Sequence, residues 1–180
     1  MDIVEHEASP FSFSNKLGRI VWHVVYVFLF KYSPRPLHSW RSFLLKLFRA
    51  KVGKAVHIYP KATIWAPWNL EIDDNSCLAD GVIVYNQAKI IVGKNVVVSQ
   101  GTHLCSGTHD YARKSFPLIG KSIRIDDEVW IAAEAFVHPG IHIGEGSVIG
   151  ARSVVTKDIP AWKIASGFPC IILKDRKFID

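Results

Sequence analysis

Three cysteines in 180 residues are too few, and too irregularly placed, to staple this chain together. Cys77, Cys105 and Cys170 show no metal-ligand spacing, and an odd number argues against a disulfide framework; a reducing compartment is expected. Acidic residues are missing from one region altogether. From Lys16 to Lys54 there are nine Lys or Arg and no Asp or Glu, which predicts a local positive surface. The whole chain is only moderately basic, at +6, and carries no nucleic-acid recognition motif, so no nucleic-acid partner is expected. Long hydrophobic runs are absent as well. Ile20 to Phe30 is strongly apolar but 11 residues long, too short to cross a bilayer as a helix, and its expected place is against the rest of the protein. The opening MDIVEHEASP lacks the positive start and apolar run of a signal peptide, which predicts a cytoplasmic protein. Apolar residues as such are plentiful, at 49%, enough to fill the core of one domain.

What the sequence does contain is a period of six. Ile125, Ile131, Val137, Ile143, Ile149 and Val155 open successive blocks IDDEVW, IAAEAF, VHPGIH, IGEGSV, IGARSV and VTKDIP. Neither a helix nor a flat strand produces that interval. A solenoid does, because equivalent residues of successive turns stack into one core. Earlier anchors are Val52, Ile58 and Ile64, then Ile72, Leu78 and Val84, then Val92, Val98 and Leu104. Three blocks make one turn of a three-sided coil, and the chain holds about five coils. Small residues recur four places after the anchors, at Ala62, Ser76, Ala88, Thr102, Thr108, Ala135, Ser147 and Ser153, and suit tight places. Gly53, Gly93, Gly144 and Gly150 directly follow anchors and suit demanding backbone positions.

Three regions follow: an apolar and basic cap over 1–51, the repeat over 52–160, and a C-terminal cap and tail over 161–180. Within the first, SPRP separates two apolar segments. The second segment reads as an amphipathic helix with Trp40, Phe43, Leu44, Leu47 and Phe48 on its apolar face. The first is a helix or a buried strand, its valines weakening the helix reading. Both suit an end cap, because an open solenoid end exposes apolar surface and unpaired strand edges. The largest break in the period is an excursion over 110–124, beginning beside His109. Loops projecting from a rigid scaffold commonly carry function.

Three stretches, SQGTHLCSGTHDY, VWIAAEAFVHPGIHIGEGSVIGARSVVTKDIPAW and SGFPCIILK, together with the N-terminal SPRPLHSWRSFLLKLFRAKVGKAVHIYP, resemble the hexapeptide-repeat acyltransferases. Within them the chain is most similar to the colanic acid biosynthesis acetyltransferase type, and also to maltose and galactoside O-acetyltransferases. The resemblance implies a left-handed parallel β-helix, against the usual crossover hand. It also implies a homotrimer with acetyl-CoA and a sugar acceptor in a groove between subunits, and direct acetyl transfer to a hydroxyl; no set of three ligands has zinc spacing, so no metal is expected.

Such a transfer needs a base for the hydroxyl proton, a held acceptor and donors for the oxyanion. The resemblance places His109, in GTHD, as the catalytic base; by pattern alone it equally well ends a strand at the surface. Asp110 is a candidate to orient this region or meet substrate, although a backbone carbonyl is an equally good holder for the imidazole. Asn86, in VYNQ, either binds an acceptor hydroxyl or turns the chain between coils. His103 is expected to be structural or groove-lining, and Ser106 at most a helper.

For CoA, the resemblance implies Ala132, Ala133, Gly150 and Ala151 beside the pantetheine arm, Thr156 and Lys157 near the nucleotide, and Arg152, Lys157 or Lys174 for phosphates. Ile171 stands where relatives usually carry an arginine, which weakens that contact. Trp130 flanks the acyl group or, on the safer reading, packs beneath the loop, and Trp65 and Trp68 seal the inserted turn or stack on a sugar. The function expected is O-acetylation of a nucleotide- or lipid-linked sugar in exopolysaccharide, capsule or O-antigen assembly. In that case the basic N-terminal region meets the inner face of the cytoplasmic membrane. Acetylation of a free saccharide or antibiotic, and a non-catalytic scaffold, are the alternatives.

Overall fold

The structure is a computed structural model that describes residues 11–178; MDIVEHEASP, on which the leader reading rests, lies outside the described residues. From Lys51 the chain winds into a three-sided parallel β-solenoid. The first coil is β1 (Lys51–Val52), β2 (His57–Ile58) and β3 (Thr63–Ile64), and the second is β4 (Leu70–Ile72), β5 (Cys77–Leu78) and β6 (Ile83–Tyr85). The third is β7 (Ile90–Val92), β8 (Val97–Val98) and β9 (His103–Cys105). An antiparallel arm, β10 (Gly107–His109) and β11 (Leu118–Gly120), leaves the solenoid here. The fourth coil is β12 (Ile123–Ile125), β13 (Trp130–Ile131) and β14 (Phe136–Val137), and the fifth is β15 (His142–Ile143), β16 (Val148–Ile149) and β17 (Val154–Val155). A sixth turn begins at the Ile143–Ile159 bridge and β18 (Lys163–Gly167), so the winding runs somewhat beyond the expected five coils. The antiparallel β19 (Cys170–Asp175) then ends the sheet that contains β2.

The six-residue block is one short strand and one corner. Every anchor points inward and is buried. Val52, Ile72, Val92, Ile125 and Ile143 stack in register on the β1 sheet, Ile58, Leu78, Val98, Ile131, Ile149 and Ala165 on the β2 sheet. The β3 sheet stacks Ile64, Val84, Leu104, Val137 and Val155 likewise. Side chains between anchors alternate outward, as the pleat requires.

Most of the small residues lie buried at the corners, and several are hydroxyls that bind neighbouring backbone. Ser76 Oγ donates to the Gly93 carbonyl at 2.6 Å and Ser147 Oγ to that of Pro160 at 2.7 Å. Thr108 is different: it sits on the arm, paired with Ile119, outside the coil. The glycines after anchors serve a close approach rather than a left-handed backbone. A Cβ at Gly93 would lie 2.8 Å from the backbone of Asp126 and Asp127. The two residues added before Ile72 are taken up in a short 3₁₀ turn, Pro67–Asn69.

The N-terminal region forms helix α1 (Phe13–Val25), capped by Ser12 Oγ, which accepts from the Asn15 N–H, and continued by a π-helical turn, Tyr26–Phe30. The strand alternative for this segment is not adopted. Helix α2 (His38–Leu47) packs on β1 and β2 and closes the first coil. Trp22 donates its indole N–H to the Ile64 carbonyl at 2.7 Å, tying α1 to the same end. Two expectations are corrected. The run Ile20 to Phe30 is not buried as a whole; only Trp22 and Phe30 are. Helix α2 is rotated from the face its apolar spacing suggested: Arg41, Ser42, Leu44 and Leu45 are inward, while Trp40, Phe43 and Leu47 are exposed. Arg41 wins the inner position because its guanidinium satisfies carbonyls that the chain turn leaves open. It donates to the carbonyls of Ile58 (2.5 Å), Pro34 (2.9 Å) and Arg35 (2.5 Å) and to Ser33 Oγ (2.8 Å).

Candidate active site

The arm is aimed by two glycines. Gly107 and Gly120 face each other at its base. A Cβ at Gly107 would lie 2.5 Å from Gln87 Oε1 and would displace that flexible side chain, and one at Gly120 would lie 3.0 Å from the Ala88 Cβ, so the base of the arm packs closely against the preceding corner. Ser106 anchors the same point and is buried. Its hydroxyl accepts from the Ala88 N–H at 2.9 Å and contacts the carbonyls of Ala88 and Tyr85, which leaves it a structural hydroxyl. The departure from the coil begins at Gly107, three residues before the expected 110, and the coil resumes at Ile123.

His109 ends the first strand of the arm, opposite Leu118, rather than a regular coil strand. Its Nδ1 lies 2.9 Å from the Phe116 carbonyl oxygen. A carbonyl oxygen only accepts, so Nδ1 carries the proton and Nε2 of the neutral ring keeps its lone pair. The Phe116 ring stacks on the imidazole at 4.4 Å and 9°. Phe116 takes φ of 47°, a rare value for a bulky residue, and this turn presents both its carbonyl and its ring to His109. The backbone carbonyl is thus the holder of the imidazole. Asp110 faces the tip instead: its carboxylate accepts from the Ala112 N–H at 3.2 Å and pairs with Arg113 at 3.1 Å.

Asn86 is corrected. It is fully buried, and its side-chain amide is closed on Ala66, accepting from that N–H at 2.9 Å and donating to that carbonyl at 2.7 Å. The coil takes one N–H and one lone pair of the amide, and the side chain has no exposed surface on this chain, which favours the corner reading.

The remaining candidates fall into separate places on one chain. Ala132 and Ala133, with Gly150 and Ala151 one coil later, form the edge between the β2 and β3 sheets; the Ala132 N–H donates to Ile149 and the Arg152 N–H to Ala133, each at 2.9 Å. Nothing larger than a methyl projects from these four residues. Arg152 follows, with its guanidinium against Glu134 at 2.7 Å, so an anionic ligand would compete with that carboxylate. Trp130 is exposed on the β2 sheet, its indole N–H on Ser99 Oγ at 3.0 Å, and does not pack beneath the arm. Lys174 lies on β19, the edge strand of that sheet. Thr156 and Lys157 sit at the other edge of the β3 sheet, the edge from which the arm rises two coils earlier. The β3 sheet therefore separates His109 from the smooth edge within one chain.

That sheet joins Trp65 and His103 to rings that the repeat reading passed over, Tyr85 and Phe136. Trp65, Tyr85, His103, Phe136 and His138 form a chain of ring contacts with centroid separations of 5.7, 6.4, 4.8 and 5.1 Å. Their signal was present in the register: Ile83, His103 and Phe136 share one outward row, and Tyr85 and Cys105 the next. Trp68 lies beneath Gly18 of α1, where a Cβ would be 3.2 Å from its ring, consistent with sealing the inserted turn. Burial holds the His103 pKa below its ordinary value, and its buried Nε2 has no protein partner. Because the folded chain takes that proton less readily than the unfolded chain, this group costs stability as pH falls below about 6.5, until the folded form also titrates. His103→Leu should flatten that acid-side loss. Urea unfolding of both proteins between about pH 7 and 5 checks it; parallel curves would exclude His103 as a source. Among the described residues no group of three or more His, Cys, Asp or Glu is placed to hold a metal ion.

The three-sided β-solenoid with its inward anchors every six residues defines the class as a hexapeptide-repeat protein. Residues 122–157 match the bacterial transferase hexapeptide family (six repeats). WcaF of Escherichia coli K12, named for acetyl transfer in colanic acid biosynthesis, is 40% identical over 156 residues, 87% of this chain and 86% of WcaF. The galactoside O-acetyltransferase of the same organism is 30% identical over 138 residues, 75% of this chain and 68% of that enzyme. The crystal structure of a maltose O-acetyltransferase from Clostridium difficile 630 superposes with a TM-score of 0.84 at 29% identity, covering 93% of this chain and 90% of its own. The chain belongs to the hexapeptide-repeat transferase family.

Proposed function

We propose that this protein transfers acetyl from acetyl-CoA to a sugar hydroxyl. The observation that carries the reading is the tautomer set at His109, with Nδ1–H on the Phe116 carbonyl and Nε2 open on a projecting arm. His109 Nε2 takes the acceptor's hydroxyl proton as that oxygen bonds to the thioester carbonyl carbon. The carbon–sulfur bond then breaks, and the imidazolium returns the proton to the leaving thiolate. The products are the acetyl ester and CoA, and the base is restored.

The pantetheine arm runs along Ala132, Ala133, Gly150 and Ala151, where no side chain blocks it, with Trp130 beside its acyl end. Thr156, Lys157 and Lys174 serve the nucleotide and phosphates, and Arg152 does so when it leaves Glu134. Asp110 stays near the acceptor through the tip of the arm. Because one chain holds His109 and the smooth edge on opposite sides of the β3 sheet, the complete site requires the arm of one copy beside the edge of another. The outward residues support that assembly. The β2 and β3 sheets carry exposed Val97, Trp130 and Ile83, whereas the β1 sheet carries Lys51, Glu71, Arg124 and His142. A homotrimer places such faces together.

The acceptor is a nucleotide- or lipid-linked sugar in surface polysaccharide assembly, an inference supported by the similarity to WcaF and by the ring-lined β3 sheet beside the arm. The protein works at the inner face of the cytoplasmic membrane; among the described residues no helix is long and apolar enough to cross a membrane. Incubating the protein with radiolabelled acetyl-CoA and separate nucleotide-linked, lipid-linked and free sugars tests this. Label is expected on a linked sugar. Label on a free saccharide alone would overturn the acceptor assignment, and no transfer to any hydroxyl would overturn the activity.

A further inference from the structure

The N-terminal cap turns its apolar side away from the solenoid. Phe13, Leu17, Ile20, Val21, Val24 and Phe28 recur at i, i+4, i+7, i+8, i+11 and i+15, one face of a continuous helix. That face lies opposite buried Trp22 and is open: Phe13 is 81%, Ile20 64% and Phe28 74% exposed. Helix α2 widens it. Trp40, Phe43 and Leu47 point outward, the Trp40 ring stacks on Phe43 at 5.8 Å, and its indole N–H holds the Leu29 carbonyl at 2.9 Å. An isolated exposed leucine means little, but a joined apolar face on two linked helices marks a contact surface.

Charge decides which contact. Between Glu7 and Glu71 there is no acidic residue, while ten Lys or Arg occur. Of these, Lys16, Lys31, Lys46 and Arg49 are exposed on or beside the two helices. The stripe from Phe13 to Phe28 is roughly 22 Å long at helical rise. A long apolar helix face with cationic neighbours, and Trp40 and Tyr32 among its exposed residues, has the chemistry of an interfacial helix. Two such caps facing each other would bring like charges together, which disfavours a cap-to-cap contact with a second copy.

We propose that this face docks on an anionic lipid bilayer, with the apolar stripe at the boundary between headgroups and acyl chains and the cations on lipid phosphates. The inference rests on the acetyltransferase reading only for its purpose, bringing His109 to a lipid-linked acceptor. Docking itself depends on the cap alone.

The test is co-sedimentation of the full chain with phosphatidylcholine vesicles, with and without phosphatidylglycerol, comparing wild type with the triple variant Ile20→Ser, Val24→Ser, Phe28→Ser. Wild type is expected on the phosphatidylglycerol vesicles, less so as salt rises. The variant should lose at least about tenfold in partition. Its oligomeric state by sedimentation velocity, and its acetyl transfer to a soluble sugar, should match wild type. Absence of wild-type binding to anionic vesicles, or equal binding by the variant, overturns the proposal. So does a variant that falls apart into monomers, since a second copy then covers the face. A wild type that binds vesicles but transfers no acetyl group leaves docking standing and removes the acetyltransferase reading.

Discussion

Alanine at position 109 is expected to lower acetyl transfer by roughly a hundred- to ten-thousand-fold while CoA still binds. The size follows from what is removed. Without Nε2 the acceptor hydroxyl must attack with its proton still attached, or give it to water. CoA affinity should persist because the residues assigned to it lie on coils that do not include the arm. Steady-state transfer with a sugar acceptor, alongside CoA titration by calorimetry, separates the two effects. Unchanged turnover would remove His109 as the base. Joint loss of turnover and CoA binding would point to a wider loss of structure, and because the imidazole also packs on Phe116, a variant that keeps a ring is a useful control. His109→Phe, which retains a stacking ring without a base, should be as inactive as the alanine variant.

Arg41→Ala should destabilise the N-terminal cap by about 3 kcal/mol. Arg41 is 0% exposed, and its fork holds carbonyls from three residues, including Ile58 in the first coil. Alanine leaves the Pro34 and Arg35 carbonyls without this donor, leaves Ile58 with His38 Nδ1 alone at 2.9 Å, and opens a hole in the seam between α2 and the solenoid. Burial lowers the Arg41 pKa, yet guanidinium stays charged, so its carbonyl partners supply the stabilisation that water would otherwise give. Lysine would recover charge but not the fork, and should restore only part of the loss. Because a solenoid unfolds by neighbouring coils, the expected sign is an early cap transition in hydrogen exchange ahead of the main melt. A variant whose α2 amides exchange as slowly as wild type would overturn this role.

The repeat was legible because the period of six is a direct image of one strand and one corner. Each anchor from Val52 to Val155 must face inward for the coil to close, so burial fixed the sequence pattern and the pattern revealed the fold. His109 stands out in the sequence through its motif and the break beside it, although it sits on the arm and not at the end of a coil strand. The group that holds its imidazole does not stand out. Phe116 lies seven residues away across the tip of an arm, and no spacing rule for strands or helices brings such a pair together. Asn86 is ambiguous in the sequence for a related reason. A polar residue at a corner has the same sequence appearance whether its amide faces solvent or, as here, the Ala66 backbone of the preceding coil.

The sequence by itself determined the coil and its anchors, because these depend on a local period and on side-chain size; the structure moved the point where the chain leaves the coil from 110 back to Gly107. Tertiary structure alone decided which way each helix of the cap turned. The spacing of Trp40, Phe43 and Leu47 describes an apolar face, but the carbonyls of Ile58 in the first coil and of the SPRP turn hold Arg41 inward and send that face out. The same holds for α1, where Trp22 needs the Ile64 carbonyl and the stripe from Phe13 to Phe28 is left on the surface. Periodicity states that a face exists; only the hydrogen-bond needs of the surface it meets decide where that face points.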